Sequence, residues 1–233
     1  MLLHDICHIY AGNERFSCEA MMATIKGKAI KSKDVELRDT FWPEAAEQIW
    51  DRGRYDGYAT VPKTMPLLMR ALDELSKGKP LGPTYFALWC ATWDNGFVRL
   101  GRSPDLAYAS GFTGPRGVRG WQERLKILEA FGFVKLRSAG GQKFGLALLP
   151  NPNIVLLRLW DRKNRHQKGP LEPAGLAGLQ DATMAAFLER AIDVSANDVT
   201  REHARLNKAL RDESEQAEAG SAKPRSKPKR PGK

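Results

Sequence analysis

The chain has 233 residues, of which 42% are hydrophobic and 27% charged, enough to bury one sizeable core and leave room for a small second one. That balance excludes collagen, mucin and coiled-coil compositions, while 37 Lys and Arg against 27 Asp and Glu give a formal charge of +10 and favour a polyanionic partner such as nucleic acid. No stretch approaches the roughly 20 apolar residues that cross a bilayer, so a soluble cytoplasmic protein with no membrane partner is expected.

Residues 1–39 read as a loosely ordered arm in which short apolar pieces alternate with Lys26, Lys28, Lys31 and Lys33. Asp5, Glu14 and Arg15 interrupt any export-type apolar core. Met21-Met22 offers a second translation start besides Met1. The chain has three cysteines, Cys7, Cys18 and Cys90, an odd number in a chain too large to need staples, which points to a reducing compartment. The spacing of His4, Cys7, His8 and Cys18 matches no ordinary zinc finger, so no metal or other cofactor is expected.

Residues 40–165 hold all six tryptophans and the strongest periodicity, and read as the folded domain. Phe41, Ala45, Ile49 and Trp50 form a helical stripe after Pro43. A second helix, from Thr64 or Pro66 to Gly78, carries Met65, Leu68, Met69, Leu72 and Leu75; a third runs from about Pro83 to Asn95 through Tyr85, Phe86, Trp89, Cys90 and Trp93. Phe97 to Leu100 is a short extended piece. Ser103 is expected to cap a brief helix over 104–110, with Gly111 in a positive-φ turn. Thr113 is expected to cap the next helix, with Pro115 in its first turn and Val118, Trp121, Leu125 and Leu128 inward. A strand over 133–137, a turn at Ala139-Gly140-Gly141 and a strand over 143–149 complete a hairpin.

Beyond Pro150 an amphipathic helix around 153–162 ends in a basic cluster of Arg162, Lys163, Arg165 and Lys168. Residues 170–218 read as a helical extension: Leu176, Leu179, Met184, Phe187, Leu188 and Ile192 give one segment its apolar side, and Val199, Leu206 and Leu210 give the next a thinner one. Residues 219–233 read as a disordered basic tail, with six cations, three prolines and no acid from Lys223 to Lys233. The tail either adds sequence-independent affinity for nucleic acid or solubilises the chain.

The most informative stretch is 105–149. Leu106 and Ala107 on a short helix, Gly111 in the turn, Val118 and Leu125 on the next helix and Gly132-Phe133-Val134 at the start of a ribbon together resemble a winged helix-turn-helix DNA-binding domain. The preceding segment, Val61-Pro62-Lys63 through the helix containing Leu68 and Leu72 to Trp89, also resembles the N-terminal winged-helix domain of plasmid replication initiators, a similarity that covers about Ala59 to Leu149. The resemblance implies a mainly α fold with a small β-hairpin wing over 40–165, and double-stranded DNA as partner. Symmetric dimers are common among such readers, so a homodimer is an open alternative by analogy.

A helix that enters the major groove needs one buried face and one slim, donor-rich face. The expected outward set is Thr113, Arg116, Gly117, Arg119, Gly120, Glu123 and Arg124. Arg116 and Arg119 lie three apart and share a face, where each can fork onto a guanine or hold phosphate. Thr113 and the open amides of the first turn can bind a phosphate. Gly117 and Gly120 each cost about 1 kcal/mol against alanine inside a helix; close approach of the helix backbone to DNA, and close approach of another helix or a loose first turn, explain them equally well. From Arg99 to Lys143 nine basic residues face three acids, a net of +6. Arg99, Lys126, Arg137 and Lys143 are expected on backbone phosphates, with Arg137, Gln142 and Lys143 flanking the hairpin tip. Trp42, Trp50, Trp89, Trp93, Trp121 and Trp160 are expected mainly in the core, base stacking being the alternative.

No P-loop, GxGxxG, HExxH, GxSxG or CxxC element is present, and the acids stand singly, so no catalytic residue is assigned and no enzyme is expected. The reading is a sequence-specific duplex DNA-binding protein of the transcriptional-regulator kind. Its alternatives are a plasmid replication initiator or replication-control protein, and an adaptor that uses the same domain for protein contacts.

Overall fold

The computed structural model describes residues 32–93, 95–165 and 176–221. The His4, Cys7, His8 and Cys18 set, the arm before residue 32, Asp94, Lys168 and the cationic tail from Lys223 lie outside the described residues. The chain is mainly helical with one small antiparallel sheet, and it divides between Gly57 and Tyr58.

In the first unit, α1 spans 32–41 and α2 spans Ala45–Gln48. An arm was expected up to residue 39, yet residues 32–39 are helical, joined by Thr40, whose hydroxyl donates to the Glu36 carbonyl at 2.8 Å. The stripe expected to run on to Trp50 stops early, because Ile49 turns extended at ψ 148°. A helix is held mainly by the core its apolar face packs on, and Ala45 is the single buried residue among those described here. Ile49 and Trp50 are correspondingly exposed.

The second unit builds one core from α3 (Met65–Leu75), α4 (Gly82–Cys90), β1 (Phe97–Arg99), α5 (Ser103–Ala109), α6 (Gly117–Ala130), β2 (Lys135–Ala139), β3 (Gln142–Leu148), α7 (Pro152–Asn164), α8 (Asp181–Asp193) and α9 (Asn197–Ser221). Residues 40–57 therefore fall outside this unit. The helices beyond 176 are not an appended extension: Leu179, Met184, Phe187, Ala191 and Val199 are buried in the same cluster as Leu68, Leu125 and Leu156. Residues 219–221, expected in the tail, still belong to α9.

Two neighbouring acids of α3 direct this packing. Asp73 accepts the Leu81 and Gly82 amides at 2.7 and 2.8 Å and so caps the start of α4. Glu74 accepts the Gln180 amide at 3.0 Å and the Thr183 hydroxyl at 2.6 Å, anchoring the start of α8. A third network joins α7 to its neighbours: the Thr64 hydroxyl donates to Asn153 at 2.7 Å, and the Asn151 and Asn153 amides donate to Asp198 at 2.8 and 2.9 Å. Asn151 also caps α7 by accepting from the Asn153 and Ile154 amides.

Several local expectations change. The third helix ends at Cys90 rather than Asn95, so Trp93 lies beyond it, 83% exposed, in an isolated bridge to Phe97. Ser103 is the first residue of α5, not its cap, and its hydroxyl donates to the Leu100 carbonyl. Ile192 is 76% exposed because α8 turns it away from the core that holds Met184, Phe187 and Ala191. Among the tryptophans only Trp121 is fully buried; Trp89 and Trp160 pack on the core edge, while Trp42, Trp50 and Trp93 are exposed.

The sheet has the order β1-β3-β2. Val98, Ala147 and Leu136 stand opposite one another across it, all buried. The expected two-stranded ribbon is thus part of a three-stranded sheet, since β1, read only as an extended piece, pairs with β3. The hairpin strand begins at Lys135 rather than residue 133, because Phe133 and Val134 are buried before pairing starts. Ala139 pairs with Gln142 around Gly140-Gly141, both at positive φ as a two-residue hairpin turn requires.

Candidate nucleic-acid interface

The site is built around the α5–α6 connection. At the end of α5, Gly111 adopts φ +85°, its amide bonding to the Tyr108 carbonyl and that of Phe112 to the Ala107 carbonyl, each at 2.9 Å. This pair of bonds is the Schellman closure that a left-handed residue permits. It stops α5 and aims Phe112 back at the start of α6.

α6 begins at Gly117, later than expected. Arg116 is its N-cap residue and makes no side-chain capping bond. Thr113 and Pro115 therefore lie in the turn before the helix, and Thr113, although exposed, caps nothing. Gly114 stands between them at φ +75°, outside helical geometry, and the Gly117 amide closes the turn onto its carbonyl at 3.0 Å; the Phe112 carbonyl oxygen occupies the space beside Gly117, where a Cβ would sit 3.0 Å away.

The same residue settles the two helical glycines. Gly117 is buried, and a Cβ on Gly120 would meet the Phe112 ring at 3.1 and 3.2 Å. Both glycines thus accommodate the chain itself. They are removed from the outward set expected above. Arg124, one turn beyond Gly120, is likewise not on the open face: it is half-buried, with its guanidinium carbon 5.5 Å from the Phe112 ring centroid. Its Nε is sealed from solvent and meets no hydrogen-bond acceptor among the described residues.

Exposed along α6 are Arg116, Arg119, Glu123 and Lys126, opposite buried Trp121, Leu125 and Leu128, and, in the last turn, Glu129. Arg119 is 82% exposed on its side chain and reaches Glu123 only loosely, at 3.8 Å. Arg116 forms no ion pair among the described residues. Spacing of three and four along a helix puts these groups on one face, where Arg116 has no carboxylate partner among the described residues and Arg119 has only the loose contact to Glu123.

The sheet adds a second cationic face. Arg99 and Arg137 stand on either side of Leu146, and Phe97 and Lys135 on either side of Leu148. Residues directly opposite across a sheet project to the same side, so Arg99, Lys135 and Arg137 share the face away from buried Val98, Leu136 and Ala147. Lys135 was not singled out from the sequence, although the alternation Lys135-Leu136-Arg137 carries the signal. At the hairpin tip Gln142 and Lys143 are exposed and line a shallow concavity with Ser138, Ala139 and Gly141. The Lys143 ammonium lies 5.7 Å from the Phe144 ring, and its carbonyl accepts the Ser138 hydroxyl at 3.1 Å.

Of the nine basic residues between Arg99 and Lys143, only Arg124 is not exposed. The three acids are placed differently. Asp105 pairs with Arg102 at 2.6 Å, Glu123 leans toward Arg119, and Glu129 accepts the Leu136 amide at 3.0 Å on the outer edge of β2. The basic cluster ending α7 is engaged within the chain instead: Lys163 donates to the Leu179 carbonyl and pairs with Asp181, and Arg165 pairs with Asp161.

Cys90 is free and exposed, and no group of His, Cys, Asp or Glu that could hold a metal occurs among the described residues. No described helix is long and apolar enough to cross a membrane. No family model, no curated protein and no solved structure matches this chain.

Proposed function

We propose that the unit from Tyr58 onward is a winged helix-turn-helix module that binds duplex DNA sequence-specifically, and that the protein is a transcriptional regulator rather than an enzyme. The order of its elements supports this: β1, two helices joined by a tight turn, then a hairpin whose returning strand lies between its partners. In this reading α6 is the recognition helix and the Gly140-Gly141 hairpin is the wing.

The observation that carries the proposal is the division of α6 into two faces. Trp121, Leu125 and Leu128 seat it in the core, while Arg116, Arg119 and Lys126 stand in solvent without a tight intramolecular carboxylate. A guanidinium fork matches guanine O6 and N7 or a phosphate, and each good base contact discriminates by about 1–3 kcal/mol. Arg99, Lys135, Arg137 and Lys143 would hold backbone phosphates, which position the protein without reading sequence.

The initiator alternative asks for a second domain of the same kind. Residues 176–221 form helices packed on α3 and α7, not a module of that kind. The test is selection of bound fragments from a random duplex pool at stated salt, followed by titration of the selected site with the full chain and with Arg116→Ala/Arg119→Ala. Loss of roughly a hundredfold or more in affinity with an unchanged circular dichroism spectrum is expected. Duplex affinity that survives the double substitution would remove α6 as the reading helix; no duplex affinity at all, with a protein partner kept through the substitution, would redirect the reading to a protein-binding adaptor.

A further inference from the structure

Arg124 stands apart from the other cations of the site. It is the one that the fold holds in place: Phe112 is tied to α5 by the hydrogen bond its N–H donates to the Ala107 carbonyl, its own carbonyl abuts Gly117, its ring abuts Gly120, and the Arg124 guanidinium lies over that ring. Phe112, Gly120 and Arg124 thus form a stack on one flank of α6, since Gly120 and Arg124 are four residues apart. Neither nearby acid neutralises Arg124. Glu123 leans to Arg119, and Glu129 is occupied by the Leu136 amide.

A half-buried guanidinium over an aromatic ring, with its Nε sealed and unpartnered among the described residues, presents only its two terminal nitrogens to a ligand. Two parallel donors on a fixed plane match the oxygens of a phosphodiester, and a ring-held fork loses less freedom on binding than a free side chain. We infer that Phe112 and Arg124 form a seat for one backbone phosphate of duplex DNA, with Arg124 as the contact and Phe112 as its positioning residue. The inference rests on the reading of α6 as the helix that faces DNA. It separates the work of the arginines: Arg124 fixes where the helix sits on the duplex, and Arg116 and Arg119 remain to read it.

The experiment is fluorescence anisotropy of the full chain on a labelled duplex of about 20 bp, repeated between about 50 and 200 mM salt, where each phosphate contact adds about 0.9 to the slope of log affinity against log salt. Arg124→Gln should lower that slope by about one contact, so that its deficit against the parent narrows about threefold as salt rises over that range. Arg124→Lys should restore the slope, because charge suffices for counterion release, with weaker binding because the fork is gone. Phe112→Leu keeps an apolar side chain but removes the ring face; adding it to Arg124→Gln should cost little beyond either alone, the mark of two groups acting as one. The Arg124 variants alone decide the matter if Phe112→Leu fails to fold. An unchanged slope in Arg124→Gln, while Arg116→Ala/Arg119→Ala abolishes binding, overturns the phosphate seat and leaves the DNA reading intact. A parent protein with no duplex affinity, or one indifferent to the Arg116/Arg119 change, overturns both.

Discussion

The Phe112 ring lies against Gly120 closely enough that a Cβ there would stand 3.1 Å from its edge, while the Phe112 backbone oxygen would stand 3.0 Å from a Cβ on Gly117. One residue in the turn thus packs against the first turn of α6 at two points. The two contacts differ in kind: Gly117 faces backbone that is pinned by the Schellman bonds, and Gly120 faces a side chain.

That difference yields a ranking. Alanine favours a helix interior by about 1 kcal/mol over glycine. Gly117→Ala must displace a hydrogen-bonded turn, so it should destabilise the protein by about 1–2 kcal/mol despite that gain. Gly120→Ala asks only for a small ring movement and should fall within about 1 kcal/mol of neutral. Urea denaturation of both variants checks the order; equal effects would mean that the Phe112 backbone is not held as described.

Glu74 joins α3 to α8 across 109 residues of sequence through Thr183. Its side chain is 11% exposed, so removal leaves the Thr183 hydroxyl and the Gln180 amide short of an acceptor. Glu74→Ala should cost about 1–3 kcal/mol, and Glu74→Gln, which keeps one acceptor oxygen, clearly less. Hydrogen exchange should quicken first in α8. Uniform quickening across the unit would contradict the local role.

Acid should weaken the α7–α9 junction. Hydrogen bonding from Arg205, reinforced by Arg158 against the opposing effect of burial, holds the Glu202 carboxyl at about 2, well below its ordinary 4.5. Burial pushes Asp198 the other way, yet bonds from Asn153, Asn151 and the Val199 amide outweigh it and leave that carboxyl low as well. A carboxyl whose folded value lies below its unfolded one stabilises the fold above the unfolded value, and that contribution disappears as pH falls from about 4.5 through about 2. Because Arg158 and Arg205 are 56% and 59% exposed, solvent screening trims the Glu202 share to about 1–2 kcal/mol. Thermal melts should show Glu202→Gln less stable than the parent near neutrality, with the gap closing toward about pH 2. A gap that stays constant with pH would point to packing alone.

On the proposed DNA reading, Arg99, Lys135 and Arg137 hold phosphates rather than bases. Replacing each by alanine should therefore weaken binding to all duplexes alike and reduce the salt slope by about one per contact. Titration of the selected site beside a scrambled one measures this. A change in the ratio of the two affinities would assign base contacts to that face.

Much of the unit was legible in the order of residues. Heptad-like spacing of Met65, Leu68, Leu72 and Leu75, the turn at Gly111, the inward set Trp121, Leu125 and Leu128, and the Gly140-Gly141 hairpin all follow from periodicity and from backbone preferences that operate over a few residues. Such local rules determine that the elements exist and which side of each is apolar.

Only the tertiary structure decided what those elements meet. That Gly117 and Gly120 make room for Phe112, that Arg124 turns from the open face onto its ring, that α8 and α9 close the same core as α3 and α7, and that Ile49, Trp50 and Trp93 are exposed are all outcomes of how the elements pack. A sequence pattern specifies an apolar or cationic face; which neighbour covers it depends on packing a whole core at once, and nearest-neighbour spacing carries no record of that.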